Sequence, residues 1–360
     1  MNRSFWNNKK VFLTGHTGFK GGWLAIWLAD MGAKVHGYSL LPSTDPNFFT
    51  EACVENHLAS STIADIRDAE KLSATMQNIA PDIVLHLAAQ SLVRHSYIDP
   101  VETYAVNVMG TVNLFEAVRK SNTVKAIVNV TTDKCYENRE WVWPYRENEA
   151  MGGFDPYSSS KGCAELVTSA YRRSFFEAQG VRLASARAGN VIGGGDWAKD
   201  RLIPDFLRAI DANQVLTIRS PNATRPWQHV LEPLSGYLML GEALHEGHDE
   251  MAAGWNFGPN EIDARPVQWI LEYLRTQIPN VSWECDTEPQ PHEANSLKLD
   301  SSKANSILRW KPRWKLEEAL AMTLSWHKAW RSNADMTEIS LEQIRAYESL
   351  LVKKLARNQV

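Results

Sequence analysis

No stretch of this sequence approaches the roughly 18 consecutive apolar residues that would mark a membrane span. Its opening residues, MNRSFWNNKK, are polar and run straight into VFLTG, without the apolar core and small-residue cleavage site of a secretory signal. Membrane insertion and secretion are therefore not expected. Cysteine is scarce: Cys53, Cys135, Cys163 and Cys285 stand singly, and no two are close enough for a CxxC pair. A chain of 360 residues with 44% hydrophobic side chains can bury a core without covalent staples, so a reduced, cytoplasmic setting follows. An excess of one charge is also missing. The 38 Lys and Arg nearly balance 42 Asp and Glu, a net −4, which argues against nucleic acid as the main partner. Repeats, low-complexity tracts and long charge runs are absent, which excludes solenoid and disordered architectures.

What is present is strand-helix alternation. KKVFLTG (9–15) reads as a buried strand, GGWLAIWLADMG (21–32) as a helix stopped by glycine, and AKVHGYS (33–39) as a second strand. STIADI (61–66), PDIVLHLAA (81–89), VKAIVNVTT (124–132) and VRLASARAGNVIG (181–193) read as further strands. Helices are expected over 68–80, 101–120 and 157–180 between them. This order predicts an α/β fold, a doubly wound parallel sheet of Rossmann type with ligands beyond the carboxyl ends of its strands. From about Gly194 the pattern loosens into short elements. We expect residues 1–193 to bind a dinucleotide and 194–335 to form mainly a smaller α/β substrate domain, with some interleaving between the two. Residues 316–330 read as a helix of that smaller domain, and 336–360 as a terminal helix and tail.

Two short motifs carry chemistry. Gly15-His16-Thr17-Gly18-Phe19-Lys20-Gly21 follows the first strand and opens the first helix. In that context glycines let a backbone approach a pyrophosphate at a helix N-terminus, although such turns also serve packing alone. The second strand ends GYSL, without the acid that usually holds an adenosine 2′-hydroxyl. NAD and NADP therefore both remain open, Lys20 beside the phosphates suits either, and Asp65 is the nearest acid placed to reach an adenine. Tyr157-Ser158-Ser159-Ser160-Lys161 sets a phenol and an ammonium one helical turn apart. The cation favours the phenolate, which can take a proton from a hydroxyl near neutral pH. In isolation such a pair is more often a surface contact on an amphipathic helix. His245 and His248 lie three residues apart, but they and His36 and His57 make no metal set, and no GxSxG elbow frames the serines.

Together GHTGFKG, ADIRD (64–68), HLAAQS (86–91), NVMGT (107–111), TTDKCY (131–136), YSSSK (157–161), RAGNVIGGGDW (187–197) and RPWQHV (225–230) resemble the extended short-chain dehydrogenases/reductases that modify nucleotide sugars. The segments TTDKCYENREWVWPYRENE and AGNVIGGGDWAKDRLIPD are most similar to dehydratases acting on CDP-glucose. That resemblance implies oxidation at C4 of the sugar, loss of water across C5 and C6, and return of the hydride to C6, in deoxysugar biosynthesis of the 3,6-dideoxyhexose and O-antigen kind. NAD, held by Gly15, Thr17, Gly18, Phe19, Lys20, Gly21, Asp65, Ile66, Leu87, Ala88, Ala89, Ser91 and Thr131, would end each turnover as it began.

By the same resemblance Tyr157, Lys161 and Thr132 oxidise C4, and Asp133 protonates the leaving hydroxyl. Many dehydratases of this group carry Asp and Glu after the threonine, whereas this chain has Asp133 and Lys134. An ammonium cannot accept a proton, so Lys134 serves as the C5 base only when neutral; its alternative role is a salt-bridged flank of the site. Arg94, Asn190, Arg201, Arg225 and His292 are the residues expected to hold the nucleotide diphosphate and sugar. Trp141, Trp143, Trp197 and Trp227 are candidate pocket walls. Helices 101–120 and 157–180 correspond to the pair through which the family dimerises, so a homodimer or homotetramer is expected. Two other readings stay open: a nucleotide-sugar 4-epimerase, which needs no elimination pair, and a non-catalytic dinucleotide-binding regulator.

Overall fold

The computed structural model describes residues 2–278, 281–286 and 296–357. Seven strands form one sheet: β1 (Lys10–Thr14), β2 (Lys34–Ser39), β3 (Ser60–Ile63), β4 (Ile83–His86), β5 (Ala126–Val130), β6 (Arg182–Ala188) and β7 (Gly254–Phe257). Every pairing is parallel and the spatial order is 7-6-5-4-1-2-3. The order reverses between β1 and β4, and at such a switch point the loops beyond the strands splay apart to leave a crevice.

The strands are apolar because both faces of the sheet are covered. Val11 and Leu13 point into a core with Trp23, Ile26, Trp27 and Leu238, while Phe12 between them packs on the other side with Tyr38, Leu72, Leu114 and Phe115. This two-residue alternation is the pleat of a strand, and truncating a fully buried leucine such as Leu13 costs about 2–5 kcal/mol. Helix boundaries follow local chemistry. Asp68 caps helix Ala69–Ile79 by accepting from the Lys71 amide at 3.0 Å, and the left-handed Ala80 and then Pro81 end it.

The structure shifts several expected boundaries. The helix read over 101–120 runs as Pro100–Tyr104, a π-turn over Ala105–Met109, and Gly110–Arg119. The helix read over 157–180 is Pro156–Tyr171 followed by a π-turn at Arg172–Phe176, where the Arg172 Nε donates to the Leu183 carbonyl at 2.7 Å rather than facing solvent. The strand read over 181–193 breaks after Ala188: Gly189 and Asn190 leave the sheet, and Val191–Ile192 pairs with Gln228–His229.

Interleaving extends further. Helix Leu231–Glu246 packs its leucines into the sheet core, and β7 forms the sheet's edge beside β6. A third cluster gathers Ile203, Phe206, Ile270, Leu274 and Leu320 from helices Leu202–Ala212, Val267–Gln277 and Leu316–Arg331. Helix Leu316–Arg331 joins the lobes, with Leu316 and Leu320 in this cluster and Trp326 in the sheet core between Phe48 and Trp197. The terminal helix Met336–Arg357 lies against helix Phe19–Asp30, with Tyr347 edge-on to Trp27.

Candidate active site

A cavity of about 730 Å3 opens beyond the carboxyl ends of the strands. Every expected cofactor residue from Gly15 to Thr131 lines it, together with Thr132, Asp133, Lys134, Tyr157, Lys161, Arg94, Asn190, Arg201 and Arg225. His292 lies outside the described residues. Trp197 and Trp227 wall the cavity; Trp141 and Trp143 do not, and Trp141 instead stacks on Tyr145.

The glycine turn is built for close approach. Gly15 sits at φ +79° with its amide bonded to the Tyr38 carbonyl, and a Cβ on Gly21 would stand 2.0 Å from the Gly15 carbonyl oxygen. No side chain caps helix Phe19–Asp30 at Gly18, so its first amides face the cavity with the helix dipole behind them. This cradle fits the pyrophosphate of a dinucleotide. Where an acid would hold the ribose, Thr17 Oγ1 meets Ser39 Oγ at 2.9 Å. Asp65 is engaged by Arg67, whose Nε and Nη2 approach its carboxylate at 2.9 and 2.6 Å, so it is less open to an adenine than the sequence suggested. Lys20 lines the same cavity. Burial holds its ammonium down to about 8, and the charges it feels are Arg201, Asp133, Lys161 and Asp196, at the reacting end of the cavity.

The reacting residues are fixed by two turns. Asp155 caps helix Pro156–Tyr171, accepting from the Ser158 amide at 2.9 Å and its hydroxyl at 2.6 Å, with Pro156 in the first turn. That cap points Tyr157 and Lys161 at the end of β5 on one helix face. Ser160 Oγ donates to the Tyr157 carbonyl and receives Asn107 Nδ2 from the π-turn; the irregular turn thus serves to reach the catalytic helix, a link the NVMGT motif does not announce. Beyond β5, Thr132 Oγ1 accepts from the Lys134 amide at 3.3 Å and donates to Asp133 Oδ1 at 3.0 Å.

Electrostatics separate the roles. Burial pushes the Tyr157 phenol up to about 12, contrary to the expectation that the Lys161 cation would favour the phenolate, and a side-chain hydrogen bond with Thr132 works against the shift. Burial brings the Lys161 ammonium down to about 8, opposed by Glu165 and Cys135, and its Nζ donates to the Val130 carbonyl at 3.4 Å. Asp133 is 2% exposed, burial raises its carboxyl, and its Oδ2 is buried without a partner. A carboxyl raised in this way is a candidate general acid. Lys134 is half-buried on the cavity wall beside it.

Arginines line the cavity near the same residues. Arg201 Nη1 pairs with Asp196 at 2.9 Å and its Nη2 donates to Ser91 at 3.3 Å. Arg225 is 7% exposed and donates to the Thr224 carbonyl, while Arg94 pairs with Asp200 at 3.5 Å. The sequence reading singled out neither Asp196 nor Asp200, because a carboxylate that aims an arginine has no spacing signature. Among the described residues no group of His, Cys, Asp and Glu is arranged to hold a metal ion.

Comparison with known proteins agrees with this layout. The family model for GDP-mannose 4,6-dehydratase matches residues 12–323. A CDP-glucose 4,6-dehydratase from Salmonella typhimurium is 56% identical over 355 residues, 97% of this chain and 99% of that protein. Among solved structures, the UDP-glucose 4-epimerase of Thermotoga maritima with UDP-glucose superposes with a TM-score of 0.76 at 22% identity, covering 89% of this chain and 98% of that one. The dTDP-glucose 4,6-dehydratase of Bacillus anthracis in complex with NAD gives 0.75 at 20% identity, covering 91% and 98%. With a family model matched over most of its length and a relative aligned nearly end to end, the chain belongs to the GDP-mannose 4,6-dehydratase family of extended short-chain dehydrogenases/reductases.

Proposed function

We propose that this protein is a hydro-lyase that converts CDP-glucose to CDP-4-dehydro-6-deoxyglucose and water. The observation that carries the reading is Asp133: a buried, proton-favouring carboxyl on the cavity wall with one oxygen unpartnered, beside the Tyr157 and Lys161 pair. A 4-epimerase shares the pair but has no use for such an acid. When bound, NAD supplies a hydride acceptor that each turnover regenerates. NAD as the cofactor is supported by similar structures solved in complex with NAD.

In this reading Tyr157, bridged by Thr132 and assisted by the Lys161 charge, takes the proton of the sugar 4-hydroxyl. The 4-ketone so formed acidifies the C5 hydrogen, for which Lys134 is the base. Asp133 gives its proton to the departing 6-hydroxyl. Buried Asp133 cannot keep a negative charge cheaply, so its reprotonation closes the cycle. Arg201, Arg225, Asn190 and Arg94 hold the diphosphate and sugar; a guanidinium gives paired donors suited to phosphate. The choice of cytosine rests on the 56% identical relative.

We further propose a homodimer, extending to a dimer of dimers, through the apolar face carrying Ile98, Val101, Met109 and Leu166, which are 51–81% exposed. Four free cysteines and the absence, among the described residues, of a helix long and apolar enough to cross a membrane support a cytoplasmic setting.

The test is mass spectrometry in D2O with added NAD and, separately, CDP-glucose, UDP-glucose, dTDP-glucose and GDP-mannose. A product lighter by one water with deuterium fixed at C5, from CDP-glucose alone, supports the reading. The same product from another nucleotide removes the base assignment, an isomer of unchanged composition identifies an epimerase, and NAD binding without turnover identifies a regulator.

A further inference from the structure

Behind the catalytic pair lies a buried ion pair that the reaction itself does not call for. Glu165 stands one helical turn beyond Lys161 and is 5% exposed. Its Oε1 accepts from Thr131 Oγ1 at 2.5 Å, and its Oε2 accepts from Ser185 Oγ at 2.6 Å and Arg187 Nη2 at 2.7 Å. Thr131 directly follows β5 and precedes Thr132, and Ser185 and Arg187 belong to β6, so one carboxylate ties the end of one strand and the body of the next to the catalytic helix. Arg187 continues the chain, with Nη1 donating to the Tyr136 hydroxyl at 2.7 Å and to the Glu147 carbonyl at 3.0 Å. Buried ion pairs of this kind are weak contributors to net stability, because desolvation offsets the attraction. Their position therefore asks for another reason.

We propose that Glu165 is a positioning residue for C4 oxidation: its carboxylate holds Thr131, and with it Thr132, in register with Tyr157, and keeps a permanent negative charge behind the Lys161 ammonium. The inference rests on the reading of Tyr157 and Lys161 as the oxidising pair. The titratable groups around Lys161 are Tyr157 and Glu165 on its own helix, Asp133 and Cys135 on the turn after β5, Lys20 on the first helix, His86 at the end of β4 and Arg187 on β6. Cys135 is pushed well up by burial and stays a thiol, Asp133 is raised, and His86 is brought down to about 3 and stays neutral. Burial also works against the Glu165 carboxylate, but Arg187, Ser185 and Thr131 together outweigh it and hold it below its usual range. Glu165 is thus the anion that remains to oppose the desolvation of Lys161.

The experiment is Glu165→Gln, read in two ways. Selective ε-13C labelling of lysine, with Lys161→Met to identify the resonance, reports the Lys161 titration midpoint in the NAD-loaded protein without any substrate. Removing the charge is expected to lower that midpoint by about one pH unit. The alkaline limb of kcat/KM, which loss of the Lys161 proton is expected to set near pH 8, is expected to move down with it, and Glu165→Asp to return both toward their original places. A folded Glu165→Gln protein with an unchanged midpoint overturns the electrostatic half. Thr131→Val keeps the charge and cuts the link to Thr132; it is expected to lower kcat about tenfold with the midpoint unmoved. An unchanged kcat overturns the positional half, and this variant decides the matter where Glu165→Gln does not fold. A midpoint shift without turnover of CDP-glucose would instead count against the proposed reaction, leaving the electrostatic half standing.

Discussion

The Thr132 hydroxyl donates to one oxygen of Asp133 at 3.0 Å while the other Asp133 oxygen is buried without a partner. Thr132 thereby orients the carboxyl that the proposed mechanism uses as its acid. Asp133→Asn keeps the shape and the Thr132 contact but cannot deliver a proton. It is expected to retain C4 oxidation, seen as reduced nicotinamide on adding CDP-glucose, and to lose water elimination by about 10²–10⁴-fold. Equal loss of both steps would assign Asp133 to binding instead.

Gly189 follows from the same oxygen. A Cβ there would come within 2.9 Å of Asp133 Oδ2 and 2.5 Å of Pro226 Cγ. Gly189→Ala is therefore expected to lower kcat about 100-fold by displacing the acid, and stability by about 1–3 kcal/mol from overpacking. Thermal melting alongside product analysis separates the two effects: a melting loss without a rate loss would show that Asp133 tolerates the shift.

How far these relationships could be read from the sequence depends on the length scale that fixes them. The strand-helix alternation, the glycine turn and the Tyr157 to Lys161 spacing are local, so the sheet and most of the cavity lining were legible. Gly189 was not, since only the fold brings it to Asp133 from the far end of β6. The same holds for β7, which returns to the sheet more than sixty residues after β6: nothing in GWNF announces an eighth-hour return to an edge rather than a strand of the second lobe. The π-turns at Ala105–Met109 and Arg172–Phe176 escape helical periodicity because their residues keep right-handed backbone angles at both flanks.

Lys134 carries the C5 step of the proposed mechanism. Replacing it with Met preserves bulk and removes the amine, so C5 hydrogen exchange with D2O is expected to fall by about 10²-fold or more while C4 oxidation persists. Exchange at the original rate would leave Lys134 as a flanking charge and move the base to another group on the cavity wall.

Far from the cavity, Glu232 is fully buried and accepts from the Trp314 and Arg313 amides at 2.7 and 2.9 Å and from the Tyr347 hydroxyl at 2.6 Å. It fastens the terminal helix to helix Leu231–Glu246, and burial pushes its carboxyl up to about 7 against those hydrogen bonds. A carboxyl raised in the folded state favours folding while it is protonated. Its contribution is complete below the usual glutamate range near 4.5 and is lost as pH rises from there through about 7. A shift of this size corresponds to about 3 kcal/mol, or roughly 4 °C for a chain this long. Glu232→Gln has no such titration, so its melting temperature is expected to gain about that much on the unaltered protein between pH 5 and pH 8. Parallel melting curves for the two proteins across this window would show that the Arg313 and Trp314 amides stabilise the carboxylate enough to offset its burial.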